Sequence, residues 1–325
     1  MKRLFTGLQP SGALHIGNYF GSLKPFLSMY EEYESFLMVA DLHALTSLKD
    51  AAQLHQNIYD IVRDYLAVGV DPEKAVLFRQ SENQDHAELA WVLNCQVTVP
   101  FLMQAHAYKD KVAKGLEPNA GLFTYPMLMA ADILLYDADI VPVGEDQRQH
   151  IEYAREAATK FNLAYGEKVQ VPEGNTVFAE SILKQPKEHI LKGVGVVPGT
   201  DGQKMSKSYK NTIPLFGGKD EIAKAVMSIV TDSSGERPEN VYAIHSLFRS
   251  EAELAALYEE KKGKYKDLKE ALIEDIEAFV RPMCEKRAQI TDADVRRVLD
   301  EGGERAKAVS HPKMAAVRDA IGMGA

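Results

Sequence analysis

Two lysines separated by two residues and flanked by small hydroxyls, Lys204-Met205-Ser206-Lys207-Ser208, form a compact cationic segment rich in hydrogen-bond donors. Such a segment suits a polyphosphate on which negative charge grows as a bond to phosphorus breaks. A second cluster, Gly7-Leu8-Gln9-Pro10-Ser11-Gly12 followed by His15-Ile16-Gly17-Asn18, lies where an apolar run gives way to a helical pattern. Backbone N–H groups at a helix start attract phosphate. Gly17 lets a purine come close to the backbone, and His15 and Asn18 can donate hydrogen bonds to phosphate oxygens. A third cluster, Pro142-Val143-Gly144-Glu145-Asp146-Gln147, follows another apolar run. Gly144 permits a tight turn there and Asp146 can accept from ribose hydroxyls, although Glu145 and Asp146 would equally complement the positive end of a following helix.

The fourth signal concerns an apolar ligand. Tyr125, Met129, Asp132, Ile133 and Tyr136 share one face of a helix. A carboxylate in that stripe has to be hydrogen-bonded. Either a protein group holds Asp132, or Asp132 accepts an N–H from a ligand lying on Met129 and Ile133. An indole, with one N–H donor and a large apolar body, fits the second description.

These groups need a scaffold, and the chain alternates strand-like and helical patterns in its first half. Arg3–Leu8, Phe36–Ala40, Ala75–Phe78 and Ile140–Val143 read as strands; helical patterns start near Ile16, cover Ala51–Val68, include Ala87–Leu93, and run from after Val143 through Phe161. That alternation predicts an α/β fold with a parallel sheet covered on both faces, and open sheets of this kind bind ligands beyond the carboxyl ends of their strands. Residues 184 to 214, rich in Gly, Pro, Lys and Thr, read as one long functional loop. Beyond it the patterns are helical only: Glu221–Val230, Glu251–Glu260, Tyr265–Val280 and Asp292–Met323.

Composition narrows the class. The chain has 325 residues, 46% hydrophobic and 26% charged, as expected for a soluble globular protein of two domains. No apolar stretch approaches a membrane span and no secretory pattern follows the basic start. Two separated cysteines, Cys95 and Cys284, predict neither a disulfide framework nor a structural metal site and suit the cytoplasm. A net charge of −9 excludes a broadly basic nucleic-acid binder but leaves room for local patches, such as Lys109, Lys111 and Lys114. No phosphate-binding P-loop occurs, and Gly193-Val194-Gly195 lacks the third glycine of a dinucleotide fingerprint because Pro198 stands there.

Taken together, Gly-Leu-Gln-Pro-Ser-Gly, His-Ile-Gly-Asn, Tyr-Pro-Met-Leu-Met-Ala-Ala-Asp-Ile at 125–133, Gly-Glu-Asp-Gln and Lys-Met-Ser-Lys-Ser make the chain resemble bacterial-type tryptophanyl-tRNA synthetases over essentially its full length. The His-Ile-Gly-Asn segment departs from the family's HIGH motif at its last position. The resemblance implies a Rossmann-type parallel-sheet catalytic domain, residues 1–214, and a helical anticodon-binding domain, 215–295. It also implies that segment 296–325 packs back toward the catalytic domain.

The implied chemistry is activation of L-tryptophan by ATP, with Mg²⁺ bound to the ATP. Tryptophanyl-adenylate and pyrophosphate form first, and tryptophan then passes to the 3′ end of tRNA(Trp). At matching positions, Gln9, Pro10 and Ser11 would line the ATP site, and Gly17 and Asn18 would touch the nucleotide. Gly144, Glu145 and Asp146 would hold the ribose side, and Val196 would meet adenine through its backbone. Lys204, Lys207, Lys111 and His15 would form the catalytic set, with Met205, Ser206 and Ser208 completing the phosphate loop. Asp132 would take the indole N–H, and Phe5, Met129, Ile133, Val141 and Val143 would wall the pocket. His43 and Gln147 would meet the amino acid's polar groups. A homodimer is implied; a membrane or DNA partner is not. Alternatives are a tyrosyl-tRNA synthetase, a non-catalytic RNA-binding paralogue and a small-molecule nucleotidyltransferase. Against the first, Met129 and Ala130 stand near Asp132 where tyrosine enzymes carry Tyr and Gln.

Overall fold

The computed structural model of the chain describes every residue except 114, 116–117, 144–147, 167, 171–175, 179–180, 191–196, 232–236 and 325. The side chains of 106–107, 110–111, 143, 168–170, 176–178 and 188–190 also lie outside the description. Five parallel strands form the main sheet: β1 (Arg3–Leu8), β2 (Glu34–Val39), β3 (Ala75–Arg79), β4 (Ile140–Val143) and β7 (Lys187–Ile190), in the order β3-β2-β1-β4-β7. A separate antiparallel pair joins β5 (Lys168–Gln170) to β6 (Thr176–Phe178). The principal helices are α1 (Ala51–Val68), α2 (Asp85–Asn94), α3 (His106–Ala113), α4 (Ala120–Leu134) and α5 (Arg148–Tyr165). Beyond the sheet come α6 (Lys219–Met227), α7 (Glu239–His245), α8 (Glu251–Glu260), α9 (Tyr265–Gln289) and α10 (Asp292–Ala320). Among the described residues no helix is long and apolar enough to cross a membrane.

The strand sequences explain why both faces are covered. Side chains alternate across a strand: Leu4, Leu37, Val39, Ala75 and Leu77 enter one apolar cluster with Ile58 and Val62 of α1, Ile222 of α6 and Leu272 and Ile276 of α9. Phe5, Phe36, Met38, Val76 and Phe78 enter a second with Leu89 of α2, Ile133 of α4 and Ala154 of α5. The strands consequently read as nearly continuous apolar runs. The sheet-facing cluster continues into the helices beyond residue 214, so these share one core with β1–β3.

α10 wraps the outer edge of the sheet. Val295, Val298 and Leu299 join the first cluster, whereas Ala306, Met314 and Val317 join the second. At the crossing point a side chain on Gly302 would put its Cβ 1.8 Å from the Leu77 carbonyl oxygen, so only glycine allows the helix to lie on β3. The helix runs without a break from Asp292 to Ala320, within the helical pattern expected over Asp292–Met323.

Two expectations need correction. The region read as one loop from 184 to 214 holds β7, an edge strand that among the described residues pairs with β4; its Lys187-Glu188-His189-Ile190 carries no apolar run, unlike the other edge strand, β3, which α10 covers. The helix expected to stop at Val280 continues through Pro282 to Gln289.

Candidate active site

Leu8 pairs with Val39 and Val39 with Arg79, so the carboxyl ends of β1, β2 and β3 lie side by side. The chain leaving each strand supplies one wall of the site. After β1, Asn57 of α1 donates to the Pro10 carbonyl at 3.0 Å, and Gly12 turns the backbone at φ +102°, a conformation suited to glycine. The next helical turn is capped by its own motif: the His15 N–H donates to Asn18 Oδ1 at 3.1 Å.

The lysine segment is stitched onto this turn. Ile16 N–H donates to the Ile213 carbonyl and Leu215 N–H to the Leu14 carbonyl, both at 3.0 Å. Met205 is buried, and a Cβ on Gly17 would lie 3.2 Å from Met205 Cβ, so the two motifs touch at the position that lacks a side chain. Lys207 Nζ donates to the carbonyls of Gly12 (2.9 Å) and Ser11 (3.2 Å) and lies 3.4 Å from Ser11 Oγ. The segment keeps its shape through Asn211, whose Oδ1 accepts from Ser206 N–H at 2.7 Å while its Nδ2 donates to Asp201 Oδ1 and the Lys204 carbonyl. Asn211 is 2% exposed. Burial, aided by the Lys207 charge, lowers the His15 pKa to about 4, leaving a neutral imidazole at pH 7. Among the described residues His15 Nδ1 has no hydrogen-bond partner. Burial also lowers the Lys207 pKa.

Asp132, near the end of α4, is 1% exposed. His86 Nδ1 and Gln80 Nε2 both approach its Oδ1 at 2.7 Å, and His43 Nε2 approaches its Oδ2 at 2.8 Å. Gln80 follows β3 and His43 follows β2, so the ordered strand ends bring both donors to one carboxylate. Gln80 is oriented by its own Oε1, which accepts from Leu42 N–H at 3.1 Å. Burial alone would raise the Asp132 pKa, but the hydrogen bonds from His43 and His86 outweigh it and bring the value to about 2. The group is an anion at neutral pH. An ionised carboxylate offers about four acceptor positions; the three described donors leave one on Oδ2.

Around this anion, Phe5, Ile133 and Val141 are buried in one apolar cluster and Met129 packs against it. Tyr136, expected on the same helical face as Asp132, lies just past the end of α4, its ring stacked on Phe5 with centroids 5.4 Å apart. Tyr125 Oη lies 2.5 Å from His150 Nε2.

The structure therefore gathers Gln9, Pro10, Ser11, His15, Gly17, Asn18 and the 204–208 segment into one assembly, and Phe5, His43, Met129, Asp132, Ile133 and Val141 into another, both served by β1. His43 directs Nε2 at Asp132 rather than at open space. Lys111 lies on α3 and Val143 on β4 with their side chains undescribed, and Gly144, Glu145, Asp146, Gln147 and Val196 lie outside the described residues. Sequence reasoning missed Gln80, His86, Asn57 and Asn211. Gln80 carried one usable signal, its place directly after an apolar strand; the others carried none.

Comparison with known proteins agrees with this geometry. The family model described as tRNA synthetases class I (W and Y) matches residues 1–296. The tryptophan–tRNA ligase of Fusobacterium nucleatum is 44% identical over 333 aligned positions, covering 99% of this chain and 98% of that protein. The ligase of Campylobacter jejuni is 41% identical, covering 99% of this chain and 100% of its own length. A crystal structure of the Campylobacter jejuni tryptophanyl-tRNA synthetase complexed with ADP and tryptophan superposes with a TM-score of 0.88 at 39% identity, covering 98% of this chain and 99% of that one. Likeness of this extent means that the chain belongs to the class I tRNA synthetases of the W and Y family.

Proposed function

We propose that this chain is a tryptophan–tRNA ligase that activates L-tryptophan with ATP and transfers it to tRNA(Trp). The observation that carries the pocket assignment is the Asp132 carboxylate: buried among apolar side chains, anionic, and left with one acceptor position by three fixed donors. An indole N–H satisfies that position while its rings lie on Met129 and Ile133. Tyrosine offers no N–H at the same place, and a buried acceptor left unpaired discriminates strongly. Gln147 and His43 Nδ1 are the groups we assign to the amino acid's polar end, and Val143 to the pocket wall.

The tryptophan carboxylate oxygen attacks the α-phosphorus of ATP. An O–P bond forms, the bond to the bridging β-oxygen breaks, and its electrons leave with pyrophosphate. No protein nucleophile is required, because positioning and charge stabilisation supply the catalysis. Lys207 gives up its neutral carbonyl acceptors for phosphate oxygens, which form stronger charge-assisted bonds. Lys204 and Lys111 share the developing charge, and the unpartnered His15 Nδ1 faces a ready hydrogen-bonding role there. Mg²⁺ comes with the ATP phosphates and neutralises part of their charge. Gln9, Pro10, Ser11, Gly17 and Asn18 receive the nucleotide; Gly144, Glu145, Asp146 and Val196 take its ribose and adenine.

We assign 1–214 to catalysis, the helices of 215–295 to the tRNA anticodon arm, and 296–325 to a segment returning to the sheet. We place the enzyme in the cytoplasm, where its free thiols Cys95 and Cys284 suit reducing conditions. A homodimer is supported by exposed apolar side chains at Trp91, Val99, Met103 and Leu163, 48–71% exposed. The deciding experiment is ATP–pyrophosphate exchange with tryptophan and tyrosine in parallel, followed by charging of tRNA(Trp). Exchange with tyrosine alone rejects the assignment, and RNA binding without exchange makes the chain a non-catalytic binder.

A further inference from the structure

The hydrogen bonding of Asp132 continues beyond its immediate donors. On the far side of the His86 ring, Nε2 lies 2.9 Å from Tyr136 Oη. Tyr136 Oη is 3.3 Å from Asn83 Nδ2, and the same amide nitrogen donates to Ser310 Oγ at 2.7 Å. Ser310 Oγ donates in turn to Asp85 Oδ2 at 2.8 Å. His86, Tyr136 and Ser310 are 0% exposed, Asn83 2% and Asp85 4%. A continuous buried chain thus runs from the pocket carboxylate to the part of α10 that packs with Ala306 and Met314 in the same apolar cluster as Tyr136.

Donor counting gives this chain one direction. A carboxylate only accepts, so His86 carries its hydrogen on Nδ1, and Nε2 accepts from the Tyr136 hydroxyl. The Tyr136 oxygen accepts one hydrogen of the Asn83 amide, and the second goes to Ser310. Ser310 passes its own hydrogen to the Asp85 carboxylate. Every donor meets an acceptor, and rotating the His86 ring by half a turn would break two of these bonds together.

We propose that His86 is a positioning residue for the Asp132 carboxylate and that α10 sets its ring orientation through Ser310, Asn83 and Tyr136. The terminal torsion of an aspartate is broad and soft. Gln80 and His86 on Oδ1, with His43 on Oδ2, fix the carboxylate plane and hence the one acceptor position that remains. With His86 gone the plane turns, and misplacement by about 1 Å in such a site can cost about 100-fold. The C-terminal helix is then part of how the enzyme selects its amino acid. This rests on the reading of Asp132 as the indole acceptor.

The test compares ATP–pyrophosphate exchange with tryptophan and with its benzothienyl analogue, in which sulfur replaces the indole N–H. The ratio of the two kcat/KM values reports the N–H bond alone. In the parent enzyme the ratio should be about tenfold or more; a parent ratio near one overturns the Asp132 reading and the proposal with it. His86→Leu should reduce the ratio about tenfold with the KM for ATP unchanged, and His86→Asn, whose amide nitrogen can stand near Nδ1, should restore most of it. Ser310→Ala should lower the ratio about two- to fivefold, and it decides the matter on its own if His86→Leu does not fold. A high parent ratio that stays unchanged in His86→Leu or Ser310→Ala, whatever the loss in overall rate, shows a merely structural chain and overturns the proposal while leaving Asp132 in place.

Discussion

Replacing Asp132 by Asn keeps the side chain's size, removes its charge and turns one oxygen into a donor. Where that NH₂ goes follows from the site. The Oδ1 position faces Gln80 Nε2, whose amide cannot turn without losing its bond from Leu42 N–H, and His86 Nδ1, whose far nitrogen accepts from Tyr136. Among the described residues the Oδ2 position faces only His43, which can exchange tautomers. The NH₂ therefore settles at Oδ2, where the indole N–H should be received. The variant loses a hydrogen bond to an ionised acceptor, about 1.5–3 kcal/mol, and opposes two donors. At about 1.4 kcal/mol per decade, kcat/KM for tryptophan should fall about 10- to 100-fold, with the KM for ATP unchanged. ATP–pyrophosphate exchange at saturating ATP, titrated with tryptophan, measures this, with a thermal melt to establish that the variant is folded. A folded variant whose tryptophan kcat/KM stays at the parent value refutes the pocket assignment, as does an equal rise in both KM values.

Other expectations follow from the same geometry. Lys207→Ala should slow pre-steady-state adenylate formation about 100-fold or more while equilibrium tryptophan affinity changes little, as its proposed action on charge developing at phosphate requires. Asn211→Ala, which frees the lysine segment, should lower the exchange rate about tenfold and leave the far-UV circular dichroism spectrum intact. Lowering of the His15 pKa to about 4 means the unfolded chain takes its proton first as pH falls. That contribution to stability is complete above about pH 6.5 and is lost toward pH 4, on the order of 3 kcal/mol; urea titrations at both ends should show a smaller loss for His15→Gln. Gly302→Ala should cost about 2–3 kcal/mol by forcing α10 off Leu77, visible as a lower urea midpoint.

The parallel sheet was largely legible because its inner strands carry apolar runs flanked by turns and helices at the right spacing. β1 and β4 match the expected residues, and β2 and β3 differ by one or two at their ends. β7 was not legible, since Lys187-Glu188-His189-Ile190 carries no apolar run, whereas β3 at the other edge does because α10 packs on it. Pro282 hid the last turns of α9, because proline normally argues for a stop and here the tertiary packing of Val280 and its neighbours overrides it. The motifs at 9–18 and 204–208 could be recognised because contiguous residues carry their chemistry. The setting of Asp132 could not: its donors come from β2's exit, β3's exit and α2, and their convergence exists only after the strands have taken their order. Asn211 was hidden for a different reason, since its work is to hold backbone groups that any residue would present.

Asn83 and Ser310 are 227 positions apart in the chain, yet they share a hydrogen bond in the buried path to the pocket. During synthesis the sheet can begin to assemble while α10 is still untranslated, and β3 then waits on the ribosome with its outer edge uncovered. An N-terminal fragment released before α10 emerges would carry both nucleotide motifs and the Asp132 side chain but lack the seal along Leu77. On the proposed role of α10 the nascent chain becomes competent to choose an amino acid late, and premature termination upstream of Ser310 should yield products prone to sticking edge to edge rather than weakly active enzymes.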